Sequence, residues 1–128
     1  SHIGDYYESK VWLDNGKKCV GCSACTFICP TCHCYILEEH SNEDQFKKIR
    51  QWDSCILGGY ARVAGGESPR EKMAQRLRNR YMCKFDFLER YFDITGCVGC
   101  GRCISAEVGS IDMREILSDL DKREDNIE

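Results

Sequence analysis

The sequence predicts a mainly α-helical domain organised around two cysteine-rich loops, with a hairpin and a long helix inserted between them. Three observations carry that prediction. Two runs, "CVGCSACTFICP" at 19–30 and "CVGCGRCISAEVG" at 97–109, share the core Cys-Val-Gly-Cys and read as an internal duplication. Met73, Leu77, Tyr81, Phe85, Leu88 and Phe92 recur at helical spacing and lead straight into the second run. The stretch "SIDMREILSDLDK" then leaves that run with Ile111, Ile116, Leu117 and Leu120 spaced for a second helix.

Each element has a local reason. Residues 1–17 form a lead-in to the first loop, and Ser1-His2 fits an expression-tag remnant. Residues 31–96 form the insert. In it, "CYILEE" and "QFKKIRQWDS" flank the polar stretch "HSNED" and predict a hairpin. The glycine-bounded "GGYARVAGG" predicts a loop with a short helical turn. Ser68-Pro69-Arg70-Glu71 has the pattern of a capping box with proline at the first helical position, which predicts a helix from there to about residue 92. The closing "REDNIE" is expected to fray.

Composition narrows the class. The chain has 128 residues, the size of one domain, and is read as a single unit, 1–128. Eleven cysteines dominate the composition, and an odd count argues against a closed disulfide framework. Charged residues make up 30% with a formal net charge of -3, so no basic field points to nucleic acid. No apolar run is long enough to span a membrane, and "SHIGDYYESK" lacks the pattern of a secretory signal. A reducing, cytoplasmic setting is therefore expected, where clustered cysteines mean metal or redox chemistry.

The first run satisfies C-x2-C-x2-C-x3-C-P at every position, with Cys19, Cys22, Cys25, Cys29 and Pro30. That spacing marks a [4Fe-4S] ligand loop: three thiolates on one tight turn reach three corners of a cubane. In two-cluster proteins the fourth cysteine ligates the other cluster. Zinc sites use separated C-x2-C pairs instead, so a structural zinc module is the weaker reading. By the crossover rule Cys97, Cys100 and Cys103 are completed by Cys29. The deficit then falls on Cys19, Cys22 and Cys25, whose fourth ligand is expected where Glu107 and Val108 replace Cys-Pro. Three outcomes stay open: Glu107 binds iron through its carboxylate; one of the spare Cys32, Cys34, Cys55 or Cys83 substitutes; or that cluster is [3Fe-4S]. With a helix entering and another leaving the second loop, a helical ferredoxin-like two-cluster arrangement is favoured over a small sheet-based one.

The segments "CTFICPTCHCY", "WDSC", "ARVAGG" and "CVGCGRCI" followed by "ID" resemble one family from about Trp12 to Ile116. These are the two-cluster domains of the A-type component of anaerobic sulfite reductase and of the beta subunit of cytoplasmic sulfhydrogenases. The resemblance implies a fold similar to helical ferredoxins and two [4Fe-4S] clusters. It also implies electron relay from or to a flavin-containing NAD(P)H partner, with a catalytic subunit at the other end. Family members carry a further domain N-terminal to this one, so the chain is expected to be a piece or a short form. Glu107-Val108 departs from the family's Cys-Pro.

Other residues have plainer readings. Cys32, Cys34, Cys55 and Cys83 are expected to be packed thiols, with sulfur or disulfide chemistry on Cys32, Cys34 or Cys55 as the alternative from another class. His33 and His40 lack ligand spacing and read as solvated. Lys72, Arg76, Arg80 and Lys84 recur every four residues and read as a solvated helix face, or else as a docking face for an acidic partner. No nucleotide-binding motif and no catalytic triad stands out.

Overall fold

The computed structural model describes residues 3–123; Ser1-His2 and nearly all of the closing "REDNIE" lie outside the described residues. A 3-10 turn, Ile3–Tyr6, precedes α1, Val11–Gly16. The first cysteine loop contains α2, Ala24–Phe27. An antiparallel hairpin follows, β1 Tyr35–Ser41 and β2 Phe46–Trp52, with Tyr35 opposite Trp52 and Ser41 opposite Phe46. Asn42 closes it: its backbone N–H donates to the Gln45 carbonyl and its side chain accepts from the Gln45 N–H at 2.9 Å. The strands are exposed along both faces, apart from the cross-strand pair Glu38–Ile49, which is half-buried. The hairpin therefore adds nothing to the core.

The long helix begins at Met73 rather than at Pro69. Ser68 Oγ accepts from the Arg70 N–H and holds a turn, while Gln75 Oε1 accepts from the Lys72 N–H at 2.9 Å and starts the helix. The segment runs as α3, Met73–Met82, then a π-helical turn, Cys83–Phe87, then α4, Leu88–Phe92, and stops on left-handed Asp93. The second cysteine loop contains α5, Arg102–Ala106. The last helix, α6, spans Met113–Arg123; Asp112 Oδ1 accepts from the Arg114 N–H at 2.8 Å at its start.

One apolar cluster joins the lead-in, α3 and α6. Val11, Trp12, Ile56, Leu77, Tyr81, Met82, Ile116 and Leu120 are all nearly inaccessible. Trp12 anchors it, with Nε1 donating to the Tyr6 carbonyl at 2.8 Å and its ring 5.6 Å from that of Tyr81. Helix α1 packs on α3 and α6, and α2 packs on α5. That last contact matters most for function, because it sets the two cysteine loops face to face.

Candidate metal centres

The two loops repeat each other in backbone conformation as well as in sequence. Gly21 and Gly99, equivalent in the Cys-Val-Gly-Cys core, have φ of 72° and 71°. Two residues on, Ser23 and Gly101 have φ of 61° and 73°. Each loop therefore makes two left-handed steps, which curl its three cysteines around one centre, and then enters a short helix. Serine tolerates left-handed φ poorly, so Ser23 is a strained position.

Two cavities lie against these loops. The first is lined by Cys19, Cys22 and Cys25 with Glu107 and Arg80; Cys103 also reaches its wall. The second is lined by Cys97, Cys100 and Cys103 with Cys29 and Lys84, and Arg80 reaches this wall as well. Each triplet thus meets a fourth residue from the opposite loop. The seven cysteines of the two runs and Glu107 all lie on one of these two walls, and none of the spare Cys32, Cys34, Cys55 and Cys83 does.

The fourth residues are held differently. Burial opposes ionisation of the Cys29 thiol, but the hydrogen bond from Lys84 Nζ, at 3.0 Å, and the contacts of Thr31, whose Oγ1 lies 3.3 Å away, outweigh it and bring the pKa down to about 6. Lys84 Nζ also donates to Thr31 Oγ1 at 3.0 Å and to the Gly96 carbonyl at 3.1 Å, and Thr31 Oγ1 donates to that same carbonyl at 2.6 Å. Gly96 must be glycine for steric reasons: a Cβ there would run into the Lys84 backbone. Glu107, by contrast, is held by main chain. Its Oε1 accepts from the Gly109 N–H and its Oε2 from the Ile111 N–H at 2.7 Å. A carboxylate has about four acceptor sites, so both oxygens keep capacity toward the cavity.

Arg80 and Lys84 correct the expectation of a solvated face. Both are 3% exposed. Arg80 Nη2 donates to the Cys25 carbonyl at 3.0 Å, and its Nε has no hydrogen-bond partner among the described residues. Arg76 also turns inward, donating from Nε to the Ile56 carbonyl at 2.8 Å. The sequence held the signal: Arg80 and Lys84 lie three and seven residues after Leu77, which places them on its face of the helix.

The spare cysteines do not line the two cavities, although Cys32 neighbours Cys29 beside the second. Cys34 follows the first loop, and its carbonyl accepts from the Asp53 N–H at 3.0 Å. Its thiol is hydrogen-bonded by Cys55 above all, then by Tyr60, which brings its pKa down to about 6 despite burial; the same contact and burial push Cys55 up. Burial raises Cys32, to about 11, and Cys83. His40 Nε2 sits 3.1 Å from Glu38 Oε2 on the exposed hairpin.

Residues 18–111 match the profile of a 4Fe-4S dicluster domain. Over 101 residues, 76% of this chain, the sequence is 41% identical to sulfhydrogenase 2 subunit beta of Pyrococcus furiosus. The match spans 29% of that relative's length. No solved structure matches.

Proposed function

The chain belongs to the 4Fe-4S dicluster domain family, and from that premise we propose a relay of single electrons between a flavin-containing NAD(P)H partner and a catalytic redox subunit of sulfhydrogenase or sulfite reductase type. The domain is an electron-transfer iron–sulfur unit of a kind found in oxidoreductase complexes, and its cofactors are two [4Fe-4S] clusters. Among the described residues no helix is long and apolar enough to cross a membrane.

One observation supports the reading most. Each cavity combines three thiols of one loop with a fourth donor from the other loop. On this reading Cys97, Cys100, Cys103 and Cys29 hold one cluster, and Cys19, Cys22, Cys25 and Glu107 hold the other, within a helical ferredoxin-like unit. The surroundings fit such a group. Ser23 Oγ is buried on the first wall with no partner among the described residues, a hydroxyl free to donate to a sulfide. Among the described residues, no three of His, Cys, Asp or Glu converge on a single metal ion. Zinc at about 2.3 Å from each sulfur needs such convergence, whereas a cubane spreads its ligands apart.

When bound, the clusters supply reversible one-electron chemistry. The chain's own part is to fix ligand type, donors to sulfur and burial, which set the potentials. Lys84 and Thr31 hold Cys29 in its anionic form. The Gly109 and Ile111 amides fix the orientation of the Glu107 carboxylate. Tyr81, Ile56 and Leu77 keep the first wall dry.

Anaerobic iron and sulfide analysis with EPR, on the chain and on Glu107→Ala, tests the assignment. The variant should keep the cluster of the Cys97 loop and alter that of the Cys19 loop or convert it to a three-iron form. Identical spectra from both proteins reject Glu107 as a ligand.

A second reading rests on the hydrogen-bonded pair Cys34–Cys55. A nucleophilic Cys34 thiolate with Cys55 as resolving thiol would make the domain a participant in disulfide or sulfur redox chemistry. Thiol labelling of the intact holoprotein separates the two readings. Fast, selective modification of Cys34 that abolishes turnover of the assembled complex while leaving cluster reduction intact favours the second.

A further inference from the structure

We propose that Arg80 is the shared counter-cation of the two cluster sites, and that its charge raises both reduction potentials together. The inference rests on the two-cluster reading and names the residue that couples its two halves.

Three observations carry it. Arg80 reaches the walls of both cavities, and Lys84, one turn further along the helix, reaches the second alone. Arg80 is 3% exposed, yet no carboxylate among the described residues lies within ion-pair distance of it. The guanidinium spends one donor on the Cys25 carbonyl and leaves Nε unpartnered among the described residues. A buried cation is tolerated only beside an anion, and here the chain supplies none from its carboxylates. The groups that face Arg80 are the Cys25, Cys32 and Cys103 sulfurs and the Tyr81 ring, whose centroid lies 5.4 Å from the guanidinium carbon; of these, Cys25 and Cys103 border it from the two loops.

The electrostatics then follow. An oxidised cubane with four thiolates is a dianion, and accepting one electron makes it a trianion. A fixed cation at close range favours the more negative form, so it draws the electron equilibrium toward reduction at each site. Arginine suits the position because it stays charged at every accessible pH and presents donors along a planar fork. Placed against both sites, it favours the added electron at each, so both potentials rise while the repulsion between the two electrons themselves is unchanged.

The test is EPR-monitored redox titration of the reconstituted holoprotein, with iron and sulfide measured first for every variant. Wild-type protein lacking one cluster refutes the two-cluster reading itself, independently of Arg80. In Arg80→Gln both potentials should fall, and Arg80→Lys should restore most of the loss. In Lys84→Met only the cluster ligated by the Cys97 loop should shift. Unchanged potentials in a fully loaded Arg80→Gln overturn the proposal, and a shift confined to one cluster overturns the shared role. If Arg80→Gln fails to hold both clusters, Arg80→Lys decides. Full loading at near wild-type potentials supports a charge role, and failure of the lysine variant as well shows that packing alone is at stake.

Discussion

The two cysteine loops are the natural comparison in this molecule. They share sequence core, handedness and a following short helix; they differ at Ser23-Ala24 against Gly101-Arg102 and, more consequentially, after the third cysteine. The first ends in Cys29-Pro30, and Cys29 is gripped by the buried Lys84 and the half-buried Thr31. The second ends in Glu107-Val108, and Glu107 is gripped by the Gly109 and Ile111 amides. A duplicated scaffold can therefore deliver two chemically different donors, provided each anion meets its own stabilising partners. The neighbouring charge also differs: the second cavity has both Lys84 and Arg80 against it, the first Arg80 without Lys84.

The comparison breaks most severely at Cys29. In Cys29→Ala the cluster of the Cys97 loop should be lost or degraded, although Cys29 belongs to the other loop. Iron content and the surviving EPR signal check this, and loss of the Cys19-loop signal instead would sink the crossover assignment. Next comes Gly96→Ala. Its Cβ would collide with the Lys84 main chain and displace the carbonyl that Lys84 and Thr31 share. A loss of about 2 kcal/mol is expected from overpacking, read by urea denaturation.

Replacing Glu107 with cysteine sharpens the comparison by making the loops alike. Glu107→Cys should give the Cys19-loop cluster a thiolate-ligated spectrum and slow its loss of iron under mild oxidation. It should also cost about 1–2 kcal/mol in the metal-free chain, because two main-chain donors lose a charged acceptor. Alkylation of Cys34 in the holoprotein should be half-maximal near pH 6, because the Cys55 hydrogen bond keeps the thiolate populated down to that pH. A midpoint near that of free cysteine refutes the activation. The linked stability is present above the ordinary thiol range and declines as pH falls through about 6. The smallest effect is expected at Ser23→Gly. Relief of left-handed strain and added chain entropy nearly cancel, leaving a change within about 1 kcal/mol in the denaturation midpoint.

Some of this was legible in the chain and some was not. The hairpin followed from two β-rich stretches around a polar turn, a local signal, and the structure places strands there, with β1 running on through His40 and Ser41 of the expected turn. Helix α3 followed from the apolar stripe, but its start did not. Ser68-Pro69 holds a turn, and the helix waits for Gln75 to cap the Lys72 N–H. The π-helical turn at Cys83–Phe87 left no periodic trace, because one extra residue in a turn is invisible to a pattern that tolerates spacings of both three and four. Arg80 and Lys84 read as solvated in the sequence because a charge usually marks solvent.

The sequence by itself determined the ligand loops, their duplication, the crossover expectation and the oddity at Glu107. Spacing within a loop is a local property, since a few bonds decide which sulfurs can reach one centre. Only the tertiary structure decided that two cations of the long helix turn inward between those loops. Lys84's sulfur partner, Cys29, lies 55 residues earlier, and the Cys25 carbonyl that Arg80 binds lies 55 residues before it. A buried charge is stable only where its partners are assembled around it, and that assembly exists only in the fold.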